Sequence, residues 1–194
     1  DLNSGEICIG DKVIGSYDLK SLRSFISYVP QSPFLFSDTI IENIKFGNFN
    51  AEKEEVVKVA KKSSIHIDIS RFKDQYETLL GERGVNLSGG QIQRITIARA
   101  LLKKSEILIL DDCLSSIDAK TERKILTEIK KSKANETVII VSHKVSSVMH
   151  ADLIIVLDEG VVVEKGTHEQ LLSFGGFYKK LAQKQLENIH YVNF

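Results

Sequence analysis

The chain has 194 residues, with 26 Lys+Arg balanced by 26 Asp+Glu. That length supports one compact core, or a core with a small subdomain, and the even charge excludes both the basic field of a nucleic-acid binder and an acidic solvating tail. Hydrophobic residues at 42% and charged residues at 27% suit a globular domain, and the apolar runs are strand-sized, too short for a membrane span. The cysteines, Cys8 and Cys113, form no disulfide or metal-ligand pattern, which points to a reducing, cytosolic setting.

Residues 6–9 and 12–14 read as short alternating strands around Gly10-Asp11, a hairpin dipeptide. Residues 21–25 suit a helical turn, and 26–29 a strand stopped by Pro30. An apolar, aromatic loop follows over residues 31–36. Residues 39–44, 51–63 and 66–71 read as helices, the second with Val56, Val59 and Ala60 on one side and lysines on the other. Residues 75–80 are irregular or strand-like, and Gly81-Glu82-Arg83-Gly84 is a turn. A helix over 91–102 leads to 106–112, whose continuous apolar run predicts a strand buried on both faces. Residues 120–131 form a helix with Ile125, Leu126 and Ile129 inward. Residues 137–141 and 153–157 read as further buried strands, with a short helix over 145–149 between them. Residues 161–164 pair back across Asp158-Glu159-Gly160, and 167–173 and 177–186 close the chain as helices. This alternation predicts an α/β fold with a mostly parallel sheet. The middle, about residues 33–104, has no buried strand and reads as a helical insertion.

Leu87-Ser88-Gly89-Gly90-Gln91 precedes the helix over 91–102. A serine hydroxyl, glycine N–H groups without a Cβ in the way, and a helix N-terminus together favour a phosphate. Alone, the motif would be an ordinary serine cap. Asp111 and Asp112 end a strand, where ligands collect in open α/β sheets. An acid there suits Mg²⁺ beside a nucleotide and its neighbour can orient water; helix capping is the plainer alternative. Gln31 after a strand offers an amide oxygen, His143 after another offers a donor, and Asp118 suits a helix cap.

In this order the motifs resemble the nucleotide-binding domain of ATP-binding cassette (ABC) transporters over essentially the whole chain. The resemblance implies a P-loop NTPase (ABC ATPase) fold, with residues 1–32 and 104–194 as a partial RecA-like ATPase core and 33–103 as a helical subdomain. It implies binding of ATP and Mg²⁺, with Gln31 as the Q-loop glutamine and Asp111 as the Walker B acid, together holding the metal. Ser88, Gly89, Gly90 and Gln91 fall in the signature, which closes on ATP held by an opposite subunit. Asp112 stands at the catalytic glutamate, Asp118 in the D-loop and His143 at the switch histidine. Tyr28-Val29-Pro30-Gln31 with Pro33-Phe34-Leu35-Phe36, Gly81-Glu82-Arg83-Gly84 and Glu164-Lys165-Gly166-Thr167-His168 resemble the exporter branch. The implied activity is ATP-driven export, at the cytoplasmic face of a cell membrane. The implied partners are a transmembrane domain, met through residues 31–36 and 81–84, and a second nucleotide-binding domain.

Two features depart from the family pattern. No Gly-x-x-x-x-Gly-Lys-Ser/Thr occurs, so the Walker A cradle is missing; together with a start at Asp1 this suggests a chain truncated before that motif. Such a piece is expected to lack the Walker A strand and helix, to bind ATP poorly alone and to be marginally stable. Asp112 is also one methylene shorter than the glutamate it replaces, which resembles the degenerate subunit of heterodimeric exporters. A homodimer with a working Asp112 is the plainer reading. The alternatives to transport are a non-catalytic cassette remnant acting as a regulatory or binding module, and a soluble ABC ATPase of translation or repair.

Overall fold

A computed structural model describes residues 3–81, 84 and 86–191. Glu82 and Arg83 of the expected exporter loop lie outside the described residues. The chain divides into two compact units, the first ending at Ile139 and the second beginning at Ile140.

The first unit opens with a hairpin, β1 (Cys8–Ile9) and β2 (Lys12–Val13), paired antiparallel as the Gly10-Asp11 dipeptide predicts. Gly10 takes φ 58°, a left-handed conformation that glycine adopts without a Cβ clash. Asp18 caps α1 (Leu19–Phe25) by accepting from the N–H groups of Lys20 and Ser21. β3 (Ile26–Val29) follows at once and pairs in parallel with β4 (Ile107–Asp111), Tyr28 opposite Ile109 and Val29 opposite Leu110. The sheet order is β3-β4-β5, where β5 is Thr137–Val141.

Between β3 and β4 the chain is helical: α2 (Ile40–Lys45), α3 (Lys53–Lys62), α4 (His66–Arg71) and α5 (Gly89–Leu102). Residues 75–80, expected to be irregular or strand-like, hold one 3-10 turn at Gln75–Glu77 and a single bridge between Leu79 and Thr39. α5 is buried nearly all round, with Ile95, Ile97, Ala98, Leu101 and Leu102 in the core, and packs against α2, α3 and β3. Its buried polar residues, Gln93 and Thr96, are hydrogen-bonded, to the Ser116 N–H and the Ile92 carbonyl. Leu35, Ile40, Ile44, Val56, Ile65, Ile69 and Leu80 of the same unit are also buried. α6 (Ala119–Ser132) buries Glu122, Ile125 and Ile129, while Leu126 is only half-buried.

The second unit contains α7 (Val145–Val148), β6 (Ile154–Asp158), β7 (Val161–Gly166), α8 (His168–Phe174) and α9 (Phe177–Tyr191). β6 and β7 pair antiparallel across Glu159-Gly160, as expected. Val145, Ile154, Leu171, Tyr178 and Ala182 form the core of this unit.

The strands are less buried than their apolar runs predict. Leu108 and Leu110 of β4 are enclosed, but Ile107 and Ile109 are half-buried. Ile139 and Val141 of β5 are 46% and 51% exposed, and Leu157 of β6 is 63% exposed. β7 packs against α8 and α9, while Ile155, Leu157, Val161, Val162 and Val163 of the ladder are exposed.

Candidate functional site

Ser88 has extended backbone angles and caps α5. Its hydroxyl oxygen accepts from the N–H of Gln91 at 3.3 Å, and Gln91 Oε1 accepts from the N–H of Ser88 at 3.0 Å. This reciprocal box fixes the first turn of the helix. It leaves the N–H groups of Gly89 and Gly90 at the positive end of a 14-residue helix. A Cβ built on Gly90 would lie 2.9 Å from the carbonyl oxygen of Ser116, so only glycine allows this approach. The helix start therefore sits directly against the segment that follows β4.

That segment is pinned from both sides. Leu114 and Ile117 are buried, as is Cys113, whose thiol burial pushes up to about 12 and so keeps protonated. The N–H of Ser116 donates to Oε1 of Gln93, a buried residue of α5. Asp118 accepts from the N–H of Thr121 to cap α6; that backbone bond holds its carboxyl below the usual range. An open cavity of about 490 Å³ results, lined by Ser88, Gly89, Gly90, Arg94, Ser116, Ile117 and Asp118. The hydroxyls of Ser88 and Ser116, the helix-end N–H groups and Arg94 favour an anion there, while the carboxylate of Asp118 opposes one.

At the end of β4, Tyr28 donates its phenolic hydrogen to Asp111 Oδ2 at 2.8 Å. Gln31 donates from Nε2 to Asp112 Oδ2 at 3.3 Å. Asp112 takes φ 42°, a left-handed conformation uncommon for any residue but glycine, which turns the chain sharply after the strand. Ser115 Oγ closes this turn by donating to the Asp112 carbonyl. Two carboxylates and an amide are hard oxygen donors. Among the described residues no group of three or more His, Cys, Asp or Glu could hold a metal ion. A Mg²⁺ that takes its other ligands from phosphate and water needs only one or two such oxygen donors from the protein.

Of the expected site residues, Ser88, Gly89, Gly90 and Asp118 come together at the cavity, and Gln31 and Asp112 meet directly. Asp111 meets Tyr28, a partner not singled out from the sequence. The Gln91 side chain turns to the helix cap and to Asp68. His143 belongs to the second unit, where it is exposed and its backbone carbonyl accepts from Gln185 Nε2 at 2.7 Å. Sequence reasoning also missed Gln93 and Asp68; the one available signal was a polar residue on the buried face of a helix.

The loop after Gln31 carries a second surface. Arg99 lies 5.5 Å from the ring centres of both Phe36 and Phe46, and donates to the carbonyl oxygens of Asn43 and Phe34. Phe34, Phe36, Phe46 and Phe49 form a chain of ring contacts, and all are exposed. Among the described residues no helix is long and apolar enough to cross a membrane.

A family model described as "ABC transporter" matches residues 1–115. The chain is 47% identical to the "Uncharacterized ABC transporter ATP-binding protein YknU" of Bacillus subtilis (strain 168), across 97% of this chain and 32% of that protein. It is 45% identical to "ABC transporter B family member 24, mitochondrial" of Arabidopsis thaliana, across 95% of this chain and 27% of that protein. Among solved structures, "Structure of a bacterial Atm1-family ABC exporter with ATP bound" superposes with a TM-score of 0.93 at 38% identity, over 96% of this chain and 33% of that one. The chain therefore spans about a third or less of the length of these relatives.

Proposed function

The chain belongs to the ABC transporter family and has its P-loop NTPase fold, and on that premise we propose that it is the ATP-binding and ATP-hydrolysing domain that powers export by a membrane transporter. The carrying observation is the cavity where the start of α5 meets the segment after β4. Its Ser88 hydroxyl and the Gly89 and Gly90 N–H groups suit the phosphates of a nucleotide presented by a facing domain. Asp118 lines the same cavity and would communicate between the two nucleotide sites of the dimer.

Gln31 and Asp111 would hold Mg²⁺, which supplies charge neutralisation at the phosphates. Asp112 orients the attacking water, and His143 donates to the terminal phosphate. Residues 1–32 and 104–194 serve as the ATPase core, and 33–103 as the helical subdomain. Asp112 is a methylene shorter than glutamate, and a misplacement of about 1 Å costs on the order of 10²-fold in rate. This supports the chain as the slower half of a heterodimer whose signature serves the partner's competent site. The 194 residues hold no Gly-x-x-x-x-Gly-Lys-Ser/Thr, and in this reading the phosphate cradle for ATP turnover is supplied from outside them. The exposed rings of Phe34, Phe36, Phe46 and Phe49 suit docking of a transmembrane domain, together with residues 81–84, at the cytoplasmic face of the membrane.

The test is ATP-dependent association of the two nucleotide-binding domains in the full-length transporter, with Ser88→Arg in this chain. Loss of association with intact nucleotide binding supports the proposal. Unchanged association and turnover would remove the signature, and with it the transport reading.

A further inference from the structure

The orientation of the helix start depends on a residue outside the cavity. Asp68, on α4, is only partly exposed and faces the first turns of α5. Its Oδ1 accepts from Gln91 Nε2 at 3.1 Å, and its Oδ2 accepts from Arg94 Nη1 at 2.8 Å. Arg94 also donates from Nε to the Gly90 carbonyl at 3.1 Å and from Nη1 to the Ser64 carbonyl at 2.6 Å. The amide of Gln91 is thus addressed at both ends, its nitrogen by Asp68 and its oxygen by the N–H of Ser88. An amide presents an acceptor on one side and donors on the other. The carboxylate, which can only accept, therefore selects the orientation in which Gln91 completes the capping box.

We propose that Asp68 is a positioning residue for the nucleotide-contacting turn: through Gln91 and Arg94 it holds the Ser88 hydroxyl and the Gly89 and Gly90 N–H groups in the geometry that accepts a facing phosphate. This inference rests on the proposed role of the cavity. It ties α4 to α5, so a displacement of α4 changes how Ser88, Gly89 and Gly90 are presented. Nothing in the spacing of the motifs marks Asp68, which lies 23 residues before Gln91.

Asp68→Asn separates this role from simple packing, because its shape is unchanged. The new amide must offer its oxygen to Arg94, which only donates, and its nitrogen to Gln91. Gln91 then flips to accept, and turns its own nitrogen on the N–H of Ser88, breaking the box. The experiment compares Asp68→Asn and Ser88→Ala in the full-length protein by amide hydrogen exchange and by the ATP concentration that half-saturates domain association. For Asp68→Asn, exchange over residues 88–92 should rise about ten-fold, the loss of one helix cap. Exchange in α3 and α6 should stay unchanged. Half-saturating ATP should rise several-fold, with a smaller change in turnover at saturation. If Ser88→Ala weakens association but Asp68→Asn changes neither exchange nor half-saturation, the positioning role is overturned and the cavity reading stands. If neither variant affects association, the reading of the cavity falls and the inference with it.

Discussion

Tyr28 and Asp111 are joined by a 2.8 Å hydrogen bond between neighbouring strands, phenol to carboxylate. The bond to Asp111 raises the phenol above its ordinary value of 10.0, with desolvation adding to the effect. A raised value means that the folded state holds the proton more tightly. The linked stability is complete below the ordinary phenol range and is lost as pH rises through the higher folded value. Asp111→Asn should bring the Tyr28 titration back toward 10.0, read from the ring resonances of labelled tyrosine. A titration that does not move would show that the hydroxyl answers to another group.

Gln31 and Asp112 form the second contact at this strand end. Asp112→Glu lengthens the side chain by one methylene, carrying the carboxylate beyond its bond to Gln31. In the full-length protein, single-turnover hydrolysis at this site should rise by about 10- to 100-fold. An unchanged rate would place the limit outside Asp112 and remove the argument for a slow half-site.

What could be read in the sequence was whatever is local. Ser88-Gly89-Gly90 ahead of an apolar run specified a capped helix, and Gly10-Asp11 a hairpin, because both signals lie within a few residues. The Tyr28–Asp111 contact spans 83 residues and the Arg94–Asp68 pair 26, so neither leaves a periodic trace. The exposed faces of β5 and β6 failed for another reason. Apolar runs such as Ile139 to Val141 state a preference for burial, while the cover itself must come from elsewhere in the fold. Asp112 read as an acid at a strand end, but its left-handed backbone is imposed by the turn, and no residue type in the run announces it.

Asn43 is 1% exposed and ties the aromatic loop together. Its Oδ1 accepts from the N–H of Phe36 at 2.9 Å and from Arg99 Nη2 at 3.0 Å, and its Nδ2 donates to the Phe36 and Thr39 carbonyls, each at 3.0 Å. Asn43→Ala removes every one of these bonds and leaves partly buried partners without them. A loss of about 3 kcal/mol in chemical denaturation follows from the cost of such unmet groups. A loss below about 1 kcal/mol would mean that water replaces the amide.

Gly89 and Gly90 separate fold from function within one motif. A Cβ at Gly90 meets the Ser116 carbonyl at 2.9 Å, backbone that cannot swing aside. Gly90→Ala should therefore push α5 from the segment after β4 and destabilise the protein by about 1–3 kcal/mol. At Gly89 the nearest atoms to a Cβ are Ser116 Cβ and Oγ at 3.8 Å, an ordinary contact, so Gly89→Ala should leave the melting temperature unchanged or slightly raised. That methyl group nevertheless enters the cavity where a phosphate would approach the helix N-terminus. Gly89→Ala should then weaken ATP-dependent association without loss of stability. If association instead falls only in proportion to stability across the two variants, the glycines serve the packing of α5 alone, and close approach of a ligand to this turn is not what they provide.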